Sequence, residues 1–137
     1  MRVGPLVVAA VMLPTAVVAP AQEPMRSYYS HWLEAQDALR GFANAGLSQA
    51  NGGDPVAVYR REAGRHGAAL TALVSALPPA DAALYHWRLL PLHERLQGAM
   101  QSIVQGMETG DSAATAAGWA AFSDALKALD REVGELR

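Results

Sequence analysis

Four runs of apolar residues, spaced alternately three and four apart, constrain this chain more than any other feature of its sequence. The first run is Tyr28, Trp32, Ala35, Leu39, Phe42 and Gly46; the second is Val56, Tyr59, Ala63, His66, Leu70, Leu73 and Leu77. The third is Tyr85, Leu89, Leu92, Leu96, Ala99 and Ile103; the fourth is Trp119, Phe122, Leu126, Leu129, Val133 and Leu136. A helix turns once in about 3.6 residues, so this spacing collects each run on one stripe of a helix, whereas a strand would alternate every second residue. Four amphipathic helices whose stripes pack together at shallow angles make an all-α fold.

The breaks between the runs carry helix-end chemistry. Asn51-Gly52-Gly53 is a turn, followed by Asp54 as an N-cap and Pro55 at the first helical position. Pro78-Pro79 ends one helix and opens the next, with Asp81 near the positive end of the new helix dipole. Gly110-Asp111 pairs a C-terminal glycine with an N-cap. Connections this short make sequence neighbours antiparallel neighbours, which predicts an up-down-up-down four-helix bundle. Pro91 is expected to kink or split the third helix. Gly41, Gly64, Gly67, Gly98, Gly106 and Gly118 fall inside the helices, where each costs about 1 kcal/mol against alanine, and close helix approach is the expected reason for them.

Residues 1–21 have a different character. Arg2 precedes an apolar run from Leu6 to Val18, and Ala19-Pro20-Ala21 is followed by polar Gln22-Glu23. This is the pattern of a secretory signal peptide cut after Ala21. The apolar run is shorter than the ~20 residues a helix needs to span a bilayer, so no membrane span is expected in the mature chain. Residues 22–137 then form the bundle domain, with 22–26 as a short disordered lead, in a periplasmic or extracellular setting.

Composition excludes several chemistries. There is no cysteine, which removes disulfides, thiolate metal sites, iron–sulfur clusters, covalent c-type haem and thiol catalysis. The 11 basic and 13 acidic residues leave a net charge of -2, with no general pull toward nucleic acid. No glutamate is followed by histidine at the third position, as di-iron bundles require. His93-Glu94 lacks the second histidine of the zinc-protease motif, and phosphate-loop, dinucleotide and nucleophile-elbow motifs are missing. Glu34 and Asp37, and the basic group Arg60, Arg61 and Arg65, read as solvated faces.

Histidines offer the one lead toward a cofactor. His66 lies on the second stripe, and His86, His93, Met100 and Met107 recur every seven residues along the third helix. Counting from the turn at Pro78-Pro79, His66 and His93 reach similar heights on antiparallel helices. With Glu62 or Met100 nearby, His66 and His93 make a candidate metal site suited to copper, or a haem-binding pair. The b-type haem bundles take a methionine early in the first helix and a histidine in the last; Met25 is present, but the fourth helix has no histidine.

Aromatic residues suggest a contact surface. Tyr28, Tyr29 and Trp32 begin the first helix, and Tyr85 and Trp87 begin the third. In an up-down-up-down bundle these gather at one end, and Tyr85 and Trp87, two apart, cannot both face the core. Tyr28, Trp32 and Trp87 are therefore expected to form an interaction surface for a homodimer or an envelope protein partner.

The segment Leu77-Pro78-Pro79-Ala80-Asp81, His86, the leucine-rich helix to Gly110-Asp111 and the alanine-rich last helix resemble small exported bacterial helical proteins of unknown function. The resemblance covers roughly residues 70–137 and rests mainly on turn chemistry. It implies a helical fold and a bacterial exported setting, and no activity. The expectation for function is an exported, non-catalytic binding or interaction module, with the copper or haem site at His66 and His93 as the alternative.

Overall fold

The computed structural model describes residues 14–49 and 54–137, with side chains described at residues 27–47 and 54–137. It is all-helical over that range. Helices α1 (Pro14–Ala43), α3 (Pro55–Ser75), α4 (Ala83–Thr109) and α5 (Ser112–Glu135) are long, and α2 (Gly46–Gln49) is a single turn after α1. Among the described residues no helix is long and apolar enough to cross a membrane. The segment 1–21, expected to be a signal peptide, lies outside the described residues up to residue 13. Its remainder is the first part of α1, which runs without a break past Ala21 and through residues 22–26, where a disordered lead was expected.

Three helix ends follow the sequence chemistry. Asp54 accepts a hydrogen bond from the Val56 backbone N–H at 3.0 Å, with Pro55 starting α3. Gly110 ends α4 in the left-handed region at φ 70°, a conformation that penalises any side chain with a Cβ. Asp111 then accepts from the Ala114 N–H at 3.0 Å to start α5. The start of α4 differs: a 3-10 turn, Ala80–Ala82, precedes it and carries Asp81. Pro91 does not split α4, which is continuous to Thr109. The carbonyl that loses its partner to Pro91 belongs to Trp87, one turn earlier on an exposed part of the helix, where water can satisfy it.

The helices pack in chain order, α1 on α3, α3 on α4 and α4 on α5. Between α1 and α3, Phe42 meets Tyr59 and Glu34 meets Arg65. Between α3 and α4, Arg60 meets Glu108 and His66 meets His93. Between α4 and α5, Arg88 meets Glu132 and Gly106 meets Thr115. In each of these three pairs the residue numbers rise on one side as they fall on the other.

Most of the stripe residues are buried. Phe42, Leu73, Leu89, Leu96 and Ile103 are fully so, with Met100 beside them, while Trp119 and Leu126 are only partly covered. Leu77 was expected on the second stripe, yet α3 stops at Ser75 and Leu77 is 92% exposed. The core contains more than hydrocarbon, because His66, His86, His93 and Glu62 are buried too.

The helical glycines differ in what stands against them: side chains of Glu62 and Gln97 lie over Gly41 and Gly67, and backbone lies over Gly106 and Gly118. A Cβ added at Gly118 would lie 3.1 Å from the Ile103 backbone nitrogen, and one at Gly106 would lie 2.9 Å from that of Thr115. These two let α4 and α5 approach backbone to backbone. Gly64 and Gly98 have no neighbour within 4 Å of an added Cβ, so close packing does not explain them.

Candidate functional site: buried histidines beneath an aromatic groove

His66 and His93 converge as their heights predict. His66 Nε2 is 3.2 Å from His93 Nδ1, and the rings are stacked with centroids 5.4 Å apart. Gln97, one turn beyond His93 on α4, fixes the proton positions. Its amide nitrogen donates to the Ala63 carbonyl at 3.1 Å, which turns its oxygen toward His66 Nδ1 at 2.7 Å. That oxygen only accepts, so His66 carries its proton on Nδ1 and offers Nε2 as the acceptor for His93 Nδ1–H. Burial, partly offset by the Gln97 hydrogen bond, pushes His66 below its ordinary value. Burial and then the neighbouring His66 push His93 down to about 4. Both rings are neutral at pH 7.

The Glu62 carboxylate expected near this pair is not there. Glu62 faces away, toward α1, where it packs against Gly41 and binds Arg65 at 2.7 Å. Among the described residues, no group of three or more histidine, aspartate or glutamate side chains is placed to hold a metal ion. Sequence spacing put Glu62 near the face of His66, but its carboxylate follows the cation, as a buried charge must. Arg65 also binds Glu34 and Asp37, each at 2.7 Å. The carboxylates expected on a solvated face thus clamp one guanidinium and join α1 to α3. Those three carboxylates raise the Arg65 pKa, and the Arg65 hydrogen bond lowers that of Asp37.

A second polar group crosses the core nearer the start of α1. Trp32 Nε1–H donates to the Tyr28 hydroxyl at 2.9 Å, and that hydroxyl lies 2.8 Å from His86 Nδ1. With its oxygen already accepting from the indole, the Tyr28 O–H donates to His86 Nδ1, which leaves the imidazole proton on Nε2. Burial lowers the His86 pKa and raises that of Tyr28. Trp32 also meets His93 edge-on at 5.3 Å, so it joins the two histidine groups.

This arrangement corrects the expected contact surface. Tyr28 and Trp32 are 4% and 5% exposed, because their polar atoms find partners inside the bundle. Of the three expected interaction residues only Trp87 is outside, at 63% exposure. Leu84, Val74 and Leu77 are also exposed around the α3–α4 connection. The feature that sequence reasoning missed is a groove of about 380 Å³ between α1 and the start of α4. Tyr28, Tyr29, Trp32, Leu33 and Gln36 line one side, and Asp81, Ala82 and Tyr85 line the other. The sequence places Tyr29 and Tyr85 at the same end of the bundle, but nothing in either helix reports that they stand on opposite walls of a groove with Leu33 and Asp81.

The chain matches no protein-family model, no curated protein and no solved structure.

Proposed function

We propose that this chain is an exported, non-catalytic binding module, directed by residues 1–21 and built as an up-down-up-down four-helix bundle that carries a ligand groove at one end. The opposed residue numbering between successive helices supports the bundle topology. The observation that carries the function is the groove of about 380 Å³ formed by Tyr29, Leu33 and Tyr85 over Tyr28 and Trp32. Its size lies in the range of small-molecule sites, roughly 300–1,000 Å³, and its lining is apolar with few polar groups, as such sites are. The exposed apolar residues Trp87 and Leu84 are the surface left for a homodimer or envelope protein contact.

A neutral solvatochromic dye titrated into the purified protein tests the groove. Leu33→Glu places a charge in its wall at an exposed position and is expected to abolish the blue shift while the helical circular dichroism stays intact. Equal dye binding by the variant would remove the groove as the site. Mass analysis of protein recovered outside the cytoplasm tests export, with Gln22 expected at the N-terminus and retained Met1 as the contrary result.

A second reading, copper binding at His66 and His93, has one observation in its favour: the 3.2 Å convergence of Nε2 and Nδ1. A cation there replaces the proton the rings share and finds two nitrogens, fewer than the four ligands usual for zinc. Equilibrium dialysis against copper, with His93→Gln as the comparison, decides it.

A further inference from the structure

The groove's lining has a chemistry more particular than apolar. Four aromatic rings stand around it in two perpendicular pairs. Tyr28 and Tyr29 meet edge to face at 5.2 Å, and Trp32 and Tyr85 do so at 5.8 Å. Perpendicular pairs turn ring faces in different directions, so the lining is made of both electron-rich faces and electropositive edges. Tyr29 and Tyr85 are the more open rings, while Tyr28 and Trp32 are buried behind them.

Charge is one-sided. Asp81 is the single ionisable acid in the lining, and no lysine or arginine is part of it. Asp81 sits on the 3-10 turn before α4, and its Oδ1 accepts the Tyr29 hydroxyl at 3.3 Å. This bond ties the loop carboxylate to the aromatic wall. Desolvation and the Asp81 charge both raise the Tyr29 pKa, so that hydroxyl keeps its proton and remains a donor.

Aromatic faces and one carboxylate, with no positive side chain, are complementary to an organic cation. The type of cation follows from hydrogen bonding. A primary ammonium carries three donors and needs acceptors for all of them once desolvated. The groove provides one carboxylate and few other acceptors. A quaternary ammonium has no donor to satisfy, and its methyl groups fill apolar space.

We propose that this groove binds a quaternary alkylammonium group, with Tyr29 and Tyr85 supplying ring faces and Asp81 the counter-charge. The inference rests on the groove being a ligand site, as proposed above, and names the class of ligand.

The test uses choline and its neutral isostere, 3,3-dimethylbutan-1-ol, each titrated into the whole chain and followed by proton NMR. Choline is expected to show an upfield ring-current shift of its methyl signal and to bind roughly tenfold tighter than the isostere, from the usual strength of a partly desolvated cation–π contact. Asp81→Asn and Tyr29→Leu, both at exposed positions, are expected to weaken choline severalfold, and Asp81→Asn is expected to leave the isostere unchanged. Equal affinity for choline and the isostere overturns the cation assignment and leaves the groove reading standing. Binding of the neutral dye without any choline shift does the same. Loss of all three ligands overturns both.

Discussion

His66 on α3 and His93 on α4 face each other across the core, with Nε2 and Nδ1 3.2 Å apart in a hydrogen bond that needs at least one neutral ring. The bond is the first link of a directed chain. His93 donates to His66, His66 to Gln97, and Gln97 to the Ala63 carbonyl. Each donor finds one acceptor, so two imidazoles are buried without an unpaired charge.

That chain makes stability depend on pH. An unfolded histidine titrates near 6.5, whereas His93 in the fold is held down to about 4. Between those values the unfolded chain binds a proton that the folded chain excludes, so stability falls as pH drops through this window and levels off below it. The expected loss from His93 is on the order of 3 kcal/mol. Urea unfolding from pH 7.5 to 4 measures it. His93→Gln retains a donor toward His66 and is expected to flatten the profile; an identical slope in the variant would contradict the assignment.

Tyr28→Phe removes one oxygen that serves both Trp32 and His86. Two buried polar groups then lose their partner, and the expected cost is roughly 1–3 kcal/mol. A double-mutant cycle with Trp32→Phe is expected to show coupling, since both changes break the same hydrogen bond. Strict additivity in chemical denaturation would argue against a shared network.

Arginines on α3 differ in what they hold. Arg60 pairs with Glu108 on an exposed face, and its loss to methionine is expected to cost less than about 1 kcal/mol. Arg65→Met strands the buried carboxylate of Glu62 and releases Glu34 and Asp37, and its expected cost is roughly 3 kcal/mol. Thermal or urea unfolding of the two variants side by side checks the order, and equal losses would refute it.

Glycine-to-alanine substitutions are expected to have opposite signs at two helical sites. At Gly98 nothing lies within 4 Å of the added Cβ, so Gly98→Ala should stabilise by about 0.5–1 kcal/mol through helix propensity. At Gly118 the new methyl meets Ile103 backbone, and Gly118→Ala should destabilise by about 1–3 kcal/mol through overpacking. Unfolding midpoints of the two variants that move in the same direction would contradict the packing described for α4 and α5.

Local order in the sequence determined the helices and where several of them end. The three-and-four spacing specifies a helical stripe, and Asp54, Gly110 and Asp111 act on backbone atoms within a few residues, so their effect is readable without knowing the fold. The meeting of His66 with His93 was likewise legible, because rise per residue and a short turn give the height of each ring. For the other side chains tertiary structure alone decided what they face across a gap. Gly41 on α1 made room for Glu62, which therefore turned to Arg65 and away from the histidines. His86 captured Tyr28, which drew Trp32 inward and left Trp87 outside. The groove between Tyr29 and Asp81 exists because α1 stands beside a loop more than 50 residues further along. Helical periodicity is a property of one element, whereas a buried polar group takes its partner from whichever element is packed against it, and that choice is made only when the helices meet.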